Sequence, residues 1–285
     1  MANLKEIRNR ISSVSSTMQI TSAMKMVSAA KLKKAQDAIT AMRPYADKLT
    51  ELLQNLSATL DADSGSKFAD QREVKNVLIV AITSNRGLCG AFNSNIIKQA
   101  NYLVNSYAGK KVSVVAIGKK ANDALSKEYE ILANESTVFD DLTFDNVAQI
   151  AELLMQKFEE GSVDKIELVY NKFKNAATQI VTTEQFLPIV PSADATDANQ
   201  DYIFEPSKAE IVETLIPKSL KTQLFKAIRD SFASEHGARM TAMHKATDNA
   251  TELRDQLKLT YNKARQAAIT NEILEIVGGA EALNN

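Results

Sequence analysis

Both ends of this chain carry apolar residues at helical spacing over long stretches, and a single helix cannot bury the stripe that results. Near the start, Leu4, Ile7, Ile11, Val14 and Met18 alternate steps of three and four, and Ile20, Met24 and Val27 carry an apolar edge onward. Near the end, Met243, Ala246, Ala250, Leu253 and Leu257 repeat the spacing, with Ala264 and Ala267 further on. Two such stripes bracketing a middle segment are expected to pair as a long antiparallel coiled coil. Both termini then lie on one rod, and a rod of that kind serves mechanics or binding.

The first helical pattern covers residues 3–60 and breaks in the Asp-Ala-Asp-Ser-Gly-Ser stretch 61–66. Pro44 should kink or interrupt it, because proline lacks the donor and clashes with the preceding turn. At about 1.5 Å per residue the pattern predicts a rod of roughly 60 to 85 Å. Ser207, preceded by Pro206 and followed by Glu210, has the spacing of a capping box and opens the last helical region. Pro217 is expected to divide a short helix from a long one, and Gly278-Gly279 is expected to end the long one, with Gly237 its weak point between.

The middle alternates periods. Strands are predicted over 77–82, 112–117, 165–170 and 179–190, and helices over 95–106, from Lys119 onward, and over 147–158, while 194–201 is polar and reads as a loop. Alternation of this kind predicts a central Rossmann-like α/β domain with a largely parallel sheet. The expected division is therefore 1–60 for the first coiled-coil helix, 74–191 for the α/β domain and 207–281 for the second coiled-coil helix.

Small residues crowd both helices, as Ala23, Ser28, Ala29 and Ala30 on one and Ala242, Ala246 and Ala250 on the other, which allows close approach of two axes. The charge is uneven too. The net charge of −1 over 285 residues argues against a nucleic-acid binder, yet Lys5, Arg8, Arg10, Lys25, Lys31, Lys33 and Lys34 face Glu6 alone in the first thirty-five positions. A basic arm of this kind suits an acidic partner. The single cysteine, Cys89, allows no internal disulfide and reads as a buried thiol in a reducing compartment. No run approaches the ~20 apolar residues that cross a bilayer, and the first residues enter a helix pattern directly, without the features of a signal or transit peptide.

Chemistry is hard to find. The segment Ser84-Asn-Arg-Gly-Leu-Cys-Gly90 follows a strand and precedes a helix, where phosphates are often cradled, but its glycines match neither G-x-G-x-x-G nor a Walker loop. It is read as a tight structural turn, which weakens the alternative of a dinucleotide-dependent oxidoreductase. Cys89 has no histidine in its motif to activate it. His236 and His244 stand about 80° apart around a helix and about 12 Å along it, so they cannot share one metal unaided. No catalytic residues, metal site or cofactor are expected, and a coiled-coil adaptor with an α/β docking module remains the alternative among binding proteins.

Three segments in order over the full length resemble the gamma subunit of F-type ATP synthases of the bacterial type. They are Lys5-Glu-Ile-Arg-Asn-Arg-Ile11 leading into Ile20-Thr-Ser-Ala-Met-Lys-Met-Val27, the loop 84–90, and Ser234-Glu-His-Gly-Ala-Arg-Met240 running on through Ala246-Thr-Asp-Asn-Ala250 and Tyr261-Asn-Lys-Ala-Arg-Gln-Ala-Ala-Ile-Thr270 to Glu275-Ile-Val-Gly-Gly-Ala280. The resemblance implies a rotor stalk, one copy per complex, with its coiled coil in the cavity of a hexamer of alpha and beta subunits and its α/β domain toward the epsilon subunit and the c-ring. It implies coupling contacts at Met24, which it places beside Arg239, and at Lys25, Gln266, Thr270, Glu272 and Glu275. Lys31, Lys33 and Lys34 would meet an acidic loop of the beta subunit. Ile269, Ile273, Ile276 and Val277 would turn in an apolar sleeve, and Tyr202, Phe204 and Glu205 would form the foot facing the c-ring or epsilon subunit. A peripheral location on the cytoplasmic side of the cell membrane follows from the same resemblance. The cysteine-bearing insertion of the chloroplast members has no counterpart, so no thiol switch is expected.

Overall fold

The computed structural model describes residues 4–58, 67–189 and 208–283. They fall into two compact units, Met1–Ser28 with Met240–Asn285, and Ala29–Arg239. Helix α1, Leu4–Ala58, and helix α5, Lys208–Leu283, each contribute to both.

In the first unit the two helices run antiparallel, because α1 positions fall as their α5 partners rise: Thr21 meets Thr247, Met18 meets Arg254 and Arg8 meets Tyr261. The α1 seam is a strict seven-residue repeat, Leu4, Ile7, Ile11, Val14, Met18, Thr21, Lys25 and Ser28, every member buried or half-buried. Ile20 and Val27 are instead 60% and 57% exposed, so the expected apolar edge through them is not part of the seam. They sit one residue, about 100° around the helix, from Thr21 and Ser28. Those two residues can occupy the seam because their hydroxyls bond back to the carbonyls of Met18 (3.1 Å) and Met24 (2.8 Å). On α5 the repeat is Met243, Thr247, Ala250, Arg254, Leu257, Tyr261, Ala264 and Ala268, all buried or half-buried. Leu253 and Ala267 fall outside it and are exposed, as are Ala23 and Ala30 on α1, so those two alanines do not serve close approach of the axes.

The second unit is built on a five-stranded sheet in the order β3-β2-β1-β4-β5. Its strands are β1 Asn76–Ile82, β2 Lys111–Ile117, β3 Glu130–Asn134, β4 Lys165–Phe173 and β5 Gln179–Leu187. The first four run parallel and β5 joins β4 antiparallel at the edge. Pleating splits the residues of β1 between two cores. Leu78, Val80 and Ile82 pack with α4, Phe144–Glu159, and with Ile216, Leu220, Leu224 and Ile228 of α5. Val77, Ile79 and Ala81 pack on the other face with Ile96 and Ala100 of α2, Phe92–Ser106, and Ala121 and Leu125 of α3, Lys119–Leu125. The result is a three-layer sandwich centred on β1, which is buried from Val77 to Ile82.

Neither helix breaks where proline predicted. Pro44 lies inside α1, and both it and Thr40, the residue whose carbonyl it leaves without a donor, are exposed to water. Pro217 lies inside α5, so the expected division there does not occur. Nor do Gly278 and Gly279 end that helix, which continues to Leu283; neither glycine takes the positive φ of a terminating residue. The expected break at 61–66, the cap at Ser207 and the loop at 194–201 lie outside the described residues.

Candidate functional site

In an open α/β sheet the ligand position is the crevice at the carboxyl ends of the strands where the order reverses, here between β1 and β4. This chain fills that position with its own α5. The Ser234 hydroxyl donates to the carbonyl of Asn171 near the end of β4 (2.9 Å), and the Asn171 amide donates to the carbonyl of Phe92 at the start of α2 (3.1 Å). Gly237 permits the approach, because a Cβ there would come within 3.1 Å of the Ala176 backbone in the β4–β5 turn.

The loop 84–90 is the tight turn expected of it. Ser84 donates through its hydroxyl to the carbonyl of Arg86 (2.6 Å), and its amide donates to Asn93 Oδ1 (2.9 Å). Leu88, at φ 61°, holds the left-handed conformation without being glycine, and its side chain is 64% exposed. Cys89 is buried against Phe92 and Ala238, and burial raises its thiol pKa above the ordinary value. The group therefore stays protonated at neutral pH, its poorly nucleophilic form.

Arg239 closes the loop from α5. Its guanidinium meets Glu235 at 2.6 Å and reaches the carbonyls of Arg86 and Gly87 at 3.4 Å, with both side chains of the ion pair almost fully buried. Burial raises the Glu235 carboxyl and Arg239 opposes that rise. Arg239 Nη1 also lies 3.3 Å from His236 Nδ1. Arginine has only donors, so Nδ1 accepts and the neutral ring carries its proton on Nε2, which has no hydrogen-bond partner. Burial first, then the charges of Arg239 and Lys31, holds this imidazole down to about 4. Sequence reasoning singled out Arg239 but not its partners Glu235, Arg86 and Gly87; the i, i+4 spacing of Glu235 and Arg239 was the available signal.

The other residues marked by the sequence are placed as follows. Met24 and Lys25 are half-buried in the helix pair, while Gln266, Thr270, Glu272 and Glu275 are exposed on α5. Thr270 donates to the carbonyl of Gln266 (2.9 Å), so its hydroxyl is held along the helix. Lys31, Lys33 and Lys34 project into solvent, with Lys33 3.8 Å from Asp37. Ile269, Ile273, Ile276 and Val277 are 48 to 67% exposed, joined by Leu274 at 62%. Tyr202, Phe204 and Glu205 lie outside the described residues. Among the described residues no group of three His, Cys, Asp or Glu side chains is arranged to hold a metal, and no helix is long and apolar enough to cross a membrane.

A long antiparallel helix pair and a Rossmann-like domain whose ligand crevice is filled from within define a class of protein built on helix surfaces and not on a ligand site. The model of the ATP synthase family matches residues 3–283. The ATP synthase gamma chain of Flavobacterium psychrophilum is 78% identical over 284 residues, covering 99% of both chains. A chain of the central stalk and c-ring of the Tetrahymena thermophila mitochondrial ATP synthase is 26% identical, with a TM-score of 0.60 over 80% of this chain and 99% of that one. A chain of the Euglena gracilis mitochondrial ATP synthase rotor shares the fold at 24% identity, with a TM-score of 0.67 over 93% of this chain and 98% of that one. The chain belongs to the ATP synthase gamma chain family.

Proposed function

We propose that this chain is the central rotor stalk of an F-type ATP synthase, coupling c-ring rotation driven by ion flow to ATP synthesis or hydrolysis on the alpha and beta subunits. The observation that carries the reading is the apolar stripe of Ile269, Ile273, Ile276 and Val277, exposed on α5 past the positions opposite the described residues of α1. A stripe of that kind marks a partner surface. In this reading it turns in an apolar collar of the alpha-beta hexamer. The Met24, Lys25, Arg239, Gln266, Thr270, Glu272 and Glu275 set mediates coupling, and Lys31, Lys33 and Lys34 face an acidic loop of the beta subunit. Tyr202, Phe204 and Glu205 form the foot toward the c-ring and the epsilon subunit, which holds one copy of the chain at the cytoplasmic face of the cell membrane.

The stalk makes and breaks no bonds of its own in this reading. Each orientation changes the nucleotide affinity of a catalytic site only through contacts that differ between that site's conformations. Reconstitution tests this. Purified chain alone should not hydrolyse ATP, and its addition to isolated alpha and beta subunits should restore cooperative ATPase. Hydrolysis by the chain alone, or a reconstituted mixture indistinguishable from alpha and beta without it, would overturn the reading.

A further inference from the structure

The part of α1 that belongs to the second unit is held by an apolar seam of Leu32, Ala35, Ile39, Ala46 and Leu49. Such a seam resists separation of helices but is non-directional, so it resists sliding poorly. A polar tie interrupts it. Arg43 Nη2 donates both to Asp230 Oδ1 on α5 (3.0 Å) and to the carbonyl of Phe173 at the end of β4 (3.1 Å). Asp230 is fully buried, and its second oxygen has no hydrogen-bond partner, nor has the neighbouring Ser231 hydroxyl. A buried carboxylate satisfied at one oxygen is a poor way to gain stability, and buried ionic groups are best attested as devices that fix register. We infer that Arg43 is a positioning residue for the coupling function, its guanidinium locking α1, α5 and the sheet in one axial register so that torque passes from the α/β domain into both helices.

The inference rests on the rotor reading above. If the helices could slide at this level, rotation of the domain would be taken up as shear between them. A lysine could not replace the arginine fully, because both acceptors are met by one nitrogen of a rigid planar group, whereas an ammonium is a compact, strongly hydrated charge on a flexible stem that does not fix the two donor directions.

The test uses assembled complex in membrane vesicles, with ATP-driven ion pumping and ATP hydrolysis measured on the same preparation. For Arg43→Ala the expected result is hydrolysis near wild type with pumping per ATP reduced several-fold, and for Arg43→Lys an intermediate ratio. A merely structural role would lower the amount of assembled complex and leave that ratio unchanged, and an unchanged ratio overturns the inference. Should the variants not assemble, hydrogen exchange on the isolated full-length chain decides. Faster exchange of α1 amides around positions 39–49, with β1 and β4 still protected, supports the tie, and unaltered exchange in α1 overturns it. Failure of wild-type chain to couple alpha and beta would instead count against the rotor reading itself.

Discussion

His236 couples stability to acid more directly than any other described residue. Its imidazole is held down to about 4, below the ordinary 6.5, by burial and by the neighbouring charges of Arg239 and Lys31. An unfolded chain therefore binds a proton at this site before the folded one does. The stabilising contribution is complete above about pH 6.5 and is lost as pH falls toward 4, about 3 kcal/mol over the window. Burial raises the carboxyls of Glu235 and Asp230, and their sign is opposite: the stability they contribute is present at low pH and lost as pH rises through their folded values. The histidine term is isolated by comparison with His236→Gln. Melting temperatures of the two proteins should converge between pH 7 and about pH 4.5, whereas a constant gap would show that the ring is not held neutral. Gly118 offers a purely steric counterpart: at φ 110° a Cβ would collide with the Thr83 carbonyl. Gly118→Ala should therefore cost on the order of 3 kcal/mol in urea unfolding, and a cost under about 1 kcal/mol would contradict the packing described.

At the level of elements, periodicity was legible wherever the buried residues were also the apolar ones. The strands β1, β2 and β4 and the antiparallel pairing of the terminal helices follow from it. It misled where polar residues entered the seam: hydrophobicity pointed to Ile20, Val27 and Leu253, but the seven-residue repeat runs through Thr21, Ser28 and Arg254. Strand β3 was not legible either, since in this half-buried edge strand, Glu-Ile-Leu-Ala-Asn, the apolar run is short, from Ile131 to Ala133. The contacts of Arg239 with the carbonyls of Arg86 and Gly87 depend on residues some 150 positions away, beyond any local pattern. The hydroxyl bridge between Thr21 and Thr247, 2.8 Å long, yields a prediction of its own. Each hydroxyl has one proton, so the bridge competes with the bonds to the carbonyls of Met18 and Met243; a hydroxyl left without its partner can still donate to its own helix, so either valine substitution alone should be nearly neutral. Replacing both by valine removes a matched polar pair of the same shape and should stabilise the chain by about 1 kcal/mol in urea unfolding. A destabilised double variant would mean that the bridge contributes more than apolar packing does.

For the chain as a whole, the length mismatch of the two helices in the first unit matters most. Arg8 meets Tyr261 and α1 is described from Leu4, so among the described residues none of α1 lies opposite the α5 residues past about 268, and every residue from 271 to 280 is exposed. Ile269, Ile273, Leu274, Ile276 and Val277 are thus a large apolar surface left to be covered by something else. If that cover is an apolar collar, it must grip without directional hydrogen bonds, because deep wells at fixed angles would hold a rotor at those angles. Deletion from Glu275 onward removes Ile276 and Val277 but leaves the paired seam intact. The truncated chain should accordingly assemble less well with alpha and beta and turn over more slowly, while some ATP-driven rotation persists, because the seam and the α/β domain still transmit torque. Assembly yield and ATPase rate of the truncated complex, compared with full-length complex at matched concentration, measure this directly. Full assembly together with undiminished turnover would show that the exposed stripe has no bearing role.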